Sequence, residues 1–223
     1  MRGVTYADAM IISPGRRYIF VHVPKTGGTS LALALESRAM ADDILIGDTP
    51  KARRRRRRLE GLSPAGRLWK HSTLSDIDGV ISREAMERSF VFTLVRNPWD
   101  RVVSYYHWLR TQCFDHPAVH LARDLEFSAF LNTPMIRHSL RAWPYERYVT
   151  DARGVDRCSV YIRIEEFSRD ALPLWDHLGF RLCLPHENRS ERAVDYRRYY
   201  SDDDRALVGG LMSHDIDRFG YSF

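Results

Sequence analysis

The chain has 223 residues, 44% of them hydrophobic, which is enough for one α/β domain or two small ones with buried cores. It has no apolar run long enough to span a bilayer and no apolar stretch typical of a secretory signal, so we expect a cytoplasmic protein. The net charge of +5 favours anionic ligands, without choosing between nucleic acid, nucleotide and sulfated or phosphorylated metabolite. The three cysteines, widely spaced and odd in number, predict reduced thiols rather than disulfides or a zinc site.

The first half of the chain predicts two buried strands, each followed by a helix. Residues 18–23 form an apolar strand that leads through a polar turn into a helix at 29–40, and residues 41–68 are expected to be irregular. A short strand at 68–71 is followed by a helix that Ser72 would cap. The second buried strand is 90–95, and Asn97-Pro98 then predicts a helix start with Asn as N-cap and Pro at the first helical position.

The second half adds a third strand and further helices. The predicted elements are a helix at 126–131, an aromatic and basic stretch without clear period at 134–150, a strand at 159–164, a helix at 167–178 that Gly179 ends, and a last helix at 202–212. Apolar strands that alternate with helices predict a central parallel sheet covered on both faces, a three-layer α/β/α fold. Without a repeat or a clear linker, residues 1–223 are expected to form a single domain.

The turn between the first strand and its helix has the composition of a phosphate cradle. Its residues are Lys25, Thr26, Gly27, Gly28, Thr29 and Ser30. A helix N-terminus offers unpaired N–H groups and about +0.5 charge, and the glycines permit unusual dihedrals and close approach of a ligand. Because the Lys precedes the glycines, the turn departs from the nucleoside-triphosphate loop, and no acidic strand end suited to Mg²⁺ stands out beside it. The alternative is a glycine-rich turn with Thr29 as an ordinary N-cap.

A second candidate phosphate site follows the second strand. Arg96 lies just past the carboxyl end of that strand, where ligands bind in open α/β sheets, and Ser104 follows eight residues later on the next helix. An Arg and a Ser that project to one side would hold a second phosphate, with the Arg making a bidentate contact.

Together these motifs resemble the sulfotransferase superfamily. "PKTGGTS" is similar to its 5′-phosphosulfate loop and "RNPWDRVVSYY" to its 3′-phosphate motif. The resemblance is nearest to the branch that contains carbohydrate sulfotransferases and small bacterial relatives, with "WKHST" similar to its Lys-His segment and "YIRIEEF" to a later strand and acidic turn. Residues 41–67 have no counterpart in this resemblance.

The resemblance implies a P-loop-type fold and a donor, 3′-phosphoadenylyl sulfate (PAPS), with no metal. The 5′-phosphate would be held by residues 26–30, the 3′-phosphate by Arg96 and Ser104, and the charge on the leaving bridging oxygen would be neutralised by Lys25. Arg189, in "ENRS", would contact the 3′-phosphate from a late loop. His71 would act as general base toward a hydroxyl acceptor, a small molecule or a carbohydrate, during in-line displacement, since an imidazole titrates near neutrality.

Several residues keep two interpretations. The alternative for His71 is a surface histidine at a helix start. Lys70 is a secondary candidate for binding the sulfonate, but alternation along a strand would point its side chain away from His71. His22, inside the first strand, is interpreted as a buried core histidine. Trp143 and Tyr145 are candidates for stacking on an acceptor.

The run from Arg53 to Arg58 is interpreted as a solvated stretch without a specific partner. It would alternatively recruit a polyanion such as an acidic glycan or bind nucleic acid through phosphates, although no specific nucleic-acid partner is expected. Three functions therefore remain: a PAPS-dependent sulfotransferase, a P-loop small-molecule kinase that needs Mg²⁺ and a triphosphate, and a non-enzymatic polyanion-binding protein.

Overall fold

The computed structural model describes residues 8–182 and 195–223. Its strands are β1 (Ala9–Ser13), β2 (Tyr18–Val21), β3 (Ile44–Gly47), β4 (Phe90–Val95) and β5 (Cys158–Arg163). Its α-helices are α1 (Gly28–Ser37), α2 (Pro50–Arg55), α3 (Arg83–Glu87), α4 (Pro98–Arg110), α5 (Pro117–Asp124), α6 (Phe127–Leu131), α7 (Pro134–Ala142), α8 (Tyr145–Val149), α9 (Phe167–Asp170), α10 (Leu172–Leu178), α11 (Asp202–Leu211) and α12 (Ser213–Phe219). Short 3₁₀ helices cover Arg56–Leu59, Ile164–Glu166 and Tyr196–Tyr199. Within the described ranges, no helix is both long and apolar enough to cross a membrane.

These elements form two compact units. The sheet unit consists of residues 8–95 and 145–182 and contains the five strands described above. The helical unit consists of residues 96–144 and 195–223 and contains α4 to α7, α11 and α12. That residues 1–223 act as a single domain stays a prediction.

The sheet has the strand order β3-β1-β2-β4-β5. Three of the strands predicted from the sequence, β2, β4 and β5, are parallel neighbours, with Val21 beside Thr93 and Thr93 beside Tyr161. Only β1 runs the other way, antiparallel to both β2 and β3. The predicted α/β fold with a central parallel sheet is therefore confirmed, and the sheet contains one antiparallel strand that was not predicted. We call the edge at which β2, β3, β4 and β5 end the C-terminal edge, and β1 begins at that same edge.

The antiparallel β1 was not predicted from the sequence. It forms a hairpin with β2 through a tight turn in which the Arg17 backbone N–H donates to the Pro14 carbonyl at 3.1 Å. The run Met10-Ile11-Ile12 before Pro14-Gly15 is the signal that predicts such a strand and turn. Because β1 is antiparallel, the residue before it, Asp8, lies at the C-terminal edge.

The core of the sheet unit fixes the direction of α1. Aromatic side chains of neighbouring strands meet in this core, with the Phe20 and Phe92 ring centroids 5.3 Å apart. Leu31 and Leu35, four residues apart on one face of α1, are buried in the same core with Trp175 of α10. Burial of a large apolar side chain is worth about 1.5–3 kcal/mol, so this packing holds α1 firmly in place.

The Arg53–Arg58 run is helical, which corrects the expected irregular stretch at 41–68. It begins in α2, where Pro50 is at the helix start and the Ala52 N–H donates to the Thr49 hydroxyl at 3.3 Å. The buried Glu36 carboxylate, at the end of α1, accepts from the Lys51 N–H at 3.0 Å. A carboxylate at a helix N-terminus is favourable, and it offsets part of the repulsion among the cations that follow. The exposed members of the run are Arg53, Arg54, Arg56, Arg57 and Arg58.

The segment around His71 is a hydrogen-bonded turn, so the predicted strand at 68–71 is wrong. The Ser72 N–H donates to the Trp69 carbonyl at 3.0 Å, and the Trp69 N–H donates to the Ser72 hydroxyl at 2.9 Å. The Ser72 side chain therefore closes the turn that precedes it instead of capping a helix, and residues 72–81 contain turns. A local side-chain bond to backbone outcompetes the regular structure that the apolar pattern indicated.

The helical unit is built around α4. Its start is as predicted: Asn97 accepts from the Trp99 N–H at 3.1 Å, and Pro98 follows the cap. Its buried face packs on α5, α6, α7 and α11 through the residues Val102, Val103, Tyr106, Val119, Phe130, Ile136 and Val208. The prediction that α11 is the last helix is wrong, since α12 follows it. The stretch 134–150, which shows no clear period, contains α7 and α8.

The predicted helix at 167–178 is interrupted at Ala171, between α9 and α10. Pro173, at the start of α10, has no N–H to donate to the preceding turn, which is a physical reason for the break. Gly179 ends α10 in the left-handed region with φ 75°, as predicted.

Candidate active site

The turn between β2 and α1 is shaped as an anion site. Gly27, the N-cap of α1, has φ 82° and provides no side-chain cap, and Lys25 has φ 66°. Within the described residues, the N-cap therefore provides no side-chain bond to the first N–H groups of α1, and the helix dipole favours a negative charge there. A left-handed Lys is strained, and residues held in such conformations cluster at functional sites.

Both glycines of the turn are also required by protein packing. A Cβ at Gly27 would lie 2.1 Å from Cδ1 of Ile164, and a Cβ at Gly28 would lie 2.3 Å from Cδ2 of the His22 ring. From the sequence, these glycines are explained by close approach of a ligand. The structure adds a second reason, because side chains of the segments directly after β2 and after β5 press against the turn.

Two hydroxyls of the turn bond to the protein itself. The buried Thr26 hydroxyl donates to the Val23 carbonyl at 2.9 Å and closes the turn. The Thr29 hydroxyl donates to the Asp8 carboxylate. Ser30 lies half-buried in the first turn of α1. The backbone of this turn and the Lys25 ammonium are thus the groups best suited to an anionic ligand.

His71 is held by one hydrogen bond that determines its tautomer. Its Nδ1 lies 2.9 Å from the carbonyl oxygen of His22. Because a carbonyl only accepts, Nδ1 must carry the proton, and in the neutral imidazole Nε2 is then the unprotonated nitrogen. This arrangement leaves Nε2 able to accept a proton from a reacting group.

His22 lies between the turn and His71. Its side chain is buried, as predicted, and its ring centroid is 4.8 Å from that of His71 in an edge-to-face contact. On the other side the ring fills the space next to Gly28. His22 therefore contacts both the turn between β2 and α1, which we call the proposed phosphate turn, and the His71 imidazole.

Acidic residues do lie at this edge, contrary to the expectation from the sequence. Asp8 precedes β1 and Asp48 follows β3, and the Asp8 N–H donates to the Asp48 carboxylate at 2.7 Å. Lys70 Nζ lies 3.4 Å from the Asp8 carboxylate and 3.3 Å from that of Asp48. Since residues 68–71 do not form a strand, strand alternation does not determine where the Lys70 side chain points. Lys70 instead bridges the carboxylates of Asp8 and Asp48.

The pKa values of Asp8, His22 and His71 are all lowered, which favours the charged form of the carboxyl group and the neutral form of the two imidazoles. Burial alone would raise the pKa of Asp8, but His22, the Thr29 hydroxyl and Lys70 together hold it below its usual value. Burial lowers the pKa of His71 to about 3, and the neighbouring His22 adds to the effect. Burial also lowers the pKa of His22. Asp8 is therefore charged and both imidazoles are neutral near pH 7.

We expect the free energy of unfolding to fall on mild acidification because of His71. In the unfolded chain this imidazole binds a proton near its ordinary pKa of 6.5, whereas in the folded chain it stays neutral down to about 3. Between these values the unfolded state binds more protons, so stability rises with pH. From pH 7 to pH 5, His71 alone contributes a loss of up to about 2 kcal/mol. Urea unfolding of the wild type and of His71→Gln at pH 7 and pH 5 measures this loss of stability. If the stability of the two proteins depended equally on pH, His71 would not be its source.

The second predicted phosphate motif lies in the helical unit. Arg96 donates from Nε and Nη2 to one oxygen of Asp100, at 2.8 and 2.6 Å. Ser104 lies on α4 and is largely buried. Arg189 lies outside the described residues. The roles of Arg96, Ser104 and Arg189 toward a 3′-phosphate stay predictions.

The remaining candidates have separate outcomes. Tyr145 is fully buried, so its predicted role in stacking on an acceptor is wrong, whereas Trp143 is 38% exposed and keeps that prediction.

In the described part of the chain, no three His, Cys, Asp or Glu side chains are grouped so that they could hold a metal ion. Four residues at the same edge were not predicted as site residues, because tertiary contacts bring them there: Asp8, Asp48, Trp69 and Ile164.

The sequence model of the sulfotransferase family matches residues 8–151, a range that contains the phosphate turn, His71 and the Arg96–Ser104 motif. The chain belongs to the sulfotransferase family. The prediction of a sulfotransferase is thereby confirmed at the level of the family, and this favours the first of the three functions over a kinase or a polyanion-binding protein.

A solved structure supports the fold of this sulfotransferase. The mouse sulfotransferase SULT7A1 complexed with PAP is similar to it with a TM-score of 0.52 and 16% sequence identity, over 92% of this chain and 85% of the mouse chain. At this identity the likeness shows a shared fold. Among curated proteins, no sequence matches the chain significantly.

Proposed function

We propose that this protein transfers a sulfuryl group from PAPS to a hydroxyl acceptor, with a carbohydrate as the candidate acceptor. The observation that carries the proposal is the His71 geometry: Nδ1 is fixed as the donor to the His22 carbonyl, which leaves Nε2 as a base, within a chain of the sulfotransferase family. The donor is proposed from the two phosphate motifs and from the PAP in the mouse relative.

The residues present fit a donor with a 5′-phosphate at the α1 turn. The start of α1 lacks a side-chain cap, Lys25 stands beside it, and the nearby Asp8 charge is balanced by Lys70. Bound there, the donor supplies the sulfuryl group and the leaving bisphosphate. Residues 26–30 would hold the 5′-phosphate through backbone N–H groups, and Arg96 and Ser104 would hold the 3′-phosphate.

The chain's own groups divide the remaining work. His71 Nε2 accepts the proton of the acceptor hydroxyl as that oxygen attacks sulfur in line, and a positioned base is typically worth ~10²–10⁴ in rate. Lys25 stabilises negative charge that grows on the leaving oxygen. The low pKa of His71 keeps its imidazole unprotonated throughout the physiological range.

Calorimetric titration with adenosine 3′,5′-bisphosphate tests the donor. We expect saturable binding of equal strength with Mg²⁺ and with EDTA, weakened at least about tenfold in Arg96→Ala, since a charge-assisted bidentate contact contributes about 1.5–3 kcal/mol. Arg157→Ala is the matched control, because Arg157 also donates to a carboxylate, Asp151, at 2.7 Å, but precedes β5 at the opposite edge of the sheet. Preference for ATP with Mg²⁺, or binding that disappears with salt, would instead support the kinase or the polyanion-binding protein.

A further inference from the structure

An exposed tryptophan stands directly beside the proposed base. Trp69 is 42% exposed, and its ring centroid lies 5.0 Å from that of His71 with an interplanar angle of 89°. Its backbone is fixed by the Ser72 turn, so the ring is presented on a rigid support. An exposed Trp ring beside the proposed base offers a ligand a large apolar contact surface with a polar N–H, the combination for which Trp is enriched at interfaces.

Arg67, which pairs with no carboxylate in the described part of the chain, accompanies the ring. The guanidinium carbon of Arg67 lies 5.8 Å from the Trp69 ring centroid, and the Arg67 side chain is exposed. Within residues 8–182 and 195–223 no Asp or Glu oxygen pairs with Arg67, whereas Lys70, three residues later, is neutralised by Asp8 and Asp48. The cation of this turn that is available to an anion is therefore Arg67.

We propose that Trp69 and Arg67 form the acceptor subsite and select a sugar that carries an anionic group. This inference rests on the proposed function. The ring of the sugar stacks on Trp69 through its C–H face, a carboxylate or sulfate on that sugar pairs with the planar guanidinium of Arg67, and a hydroxyl is thereby held next to His71. Trp69 and Arg67 determine which acceptor binds, and His71 remains the base.

Steady-state transfer from labelled PAPS to two tetrasaccharides tests the subsite. One alternates glucuronic acid and N-acetylglucosamine, and the other contains N-acetylglucosamine alone; p-nitrophenol is the third probe. We expect the wild type to favour the acidic tetrasaccharide. Trp69→Ala should raise its KM about tenfold, a loss of the size of one aromatic contact, while Trp69→Phe retains most of the affinity. Arg67→Gln should remove the preference for the acidic over the neutral sugar.

Matched controls separate the subsite from general effects. Phe114→Ala removes another exposed aromatic ring, and Arg88→Gln removes another exposed charge from the segment before β4, at the opposite edge of the sheet; both should leave the acceptor KM unchanged. Equal use of the two tetrasaccharides, preference for p-nitrophenol, or an unchanged KM in Trp69→Ala would overturn the inference.

Direct binding distinguishes failure of this inference from failure of the proposed function. Calorimetry of the acidic tetrasaccharide is carried out with the protein saturated with adenosine 3′,5′-bisphosphate. If the nucleotide binds and the tetrasaccharide does not, the subsite is disproved while the donor assignment stands. If the nucleotide does not bind, the proposed function fails, and tetrasaccharide binding that depends on Trp69 in the nucleotide-free protein would still support the subsite.

Discussion

His71→Ala is expected to lower the turnover number for sulfuryl transfer by ~10²–10⁴ while leaving the affinity for adenosine 3′,5′-bisphosphate unchanged. The imidazole is the group whose Nδ1 is fixed by the His22 carbonyl, so its removal takes away the base without removing any group of the phosphate turn. Single-turnover transfer from labelled PAPS, with calorimetry of the bisphosphate, measures the two quantities separately. Unchanged turnover in this variant would remove His71 from the mechanism.

His177→Ala provides the control for this experiment. His177 makes the same kind of contact, with Nε2 2.9 Å from the Arg16 carbonyl, and it also contacts an aromatic ring, Phe90, at 4.6 Å between centroids. Arg16 lies in the turn before β2 and Phe90 begins β4, so His177 lies at the edge opposite to His71. His177→Ala should be destabilised about as much as His71→Ala, because it loses a similar contact, and it should retain full turnover. A comparable loss of turnover in both variants would point to general destabilisation instead of base catalysis.

Lys25→Ala is expected to lower turnover by ~10²–10³, the range seen when one preorganised group that stabilises transition-state charge is removed. Lys25 is a strained cation at the start of α1, and its ammonium is proposed to meet charge that forms on the leaving oxygen. Ala carries the same cost as Lys in the left-handed region, so the free energy of unfolding should change by no more than about 0.5 kcal/mol. Turnover and urea unfolding of the same preparation report the two effects.

Arg17→Ala is the matched control for Lys25. In the described part of the chain, Arg17, with φ 52°, is the other residue besides Lys25 that has a positive φ without being a glycine. It is an exposed cation in the hairpin turn between β1 and β2, at the edge opposite to the phosphate turn. Its removal should affect stability as little as Lys25→Ala does and leave turnover intact. A large loss of stability in Lys25→Ala alone would show that the lysine has a structural role.

Much of the fold could be predicted because its signals are local. The apolar runs that became β2, β4 and β5 are short, continuous and followed by helix starts, and the Asn97-Pro98 cap needs only neighbouring residues to form. The predicted strand at 68–71 failed because the Ser72 side chain closes a turn there. A run of four residues with mixed polarity carries too little periodicity to exclude such a turn.

The residue types of the site were visible in the sequence, but their partners were not. Lys25, the glycines and His71 could be assigned from composition, spacing and family resemblance. That Asp8 would accept from Thr29 and pair with Lys70 depends on β1 being antiparallel, which brings the start of one strand to the edge where its neighbours end. The exposure of Trp69 and the burial of Tyr145 likewise depend on how distant segments pack.

The amino-acid sequence by itself determined the family, the parallel strands, the glycine-rich turn proposed to bind an anion and the identity of the proposed base. Each of these follows from a short pattern in which every residue acts on its near neighbours. Only the tertiary structure decided the state of that base, because the His71 tautomer is set by the carbonyl of His22, far away in the chain, and the low pKa of His71 arises mainly from burial, to which the neighbouring His22 side chain adds. Burial and long-range hydrogen bonds are properties of the packed chain, and they convert a histidine in the sequence into a neutral imidazole with one defined basic nitrogen.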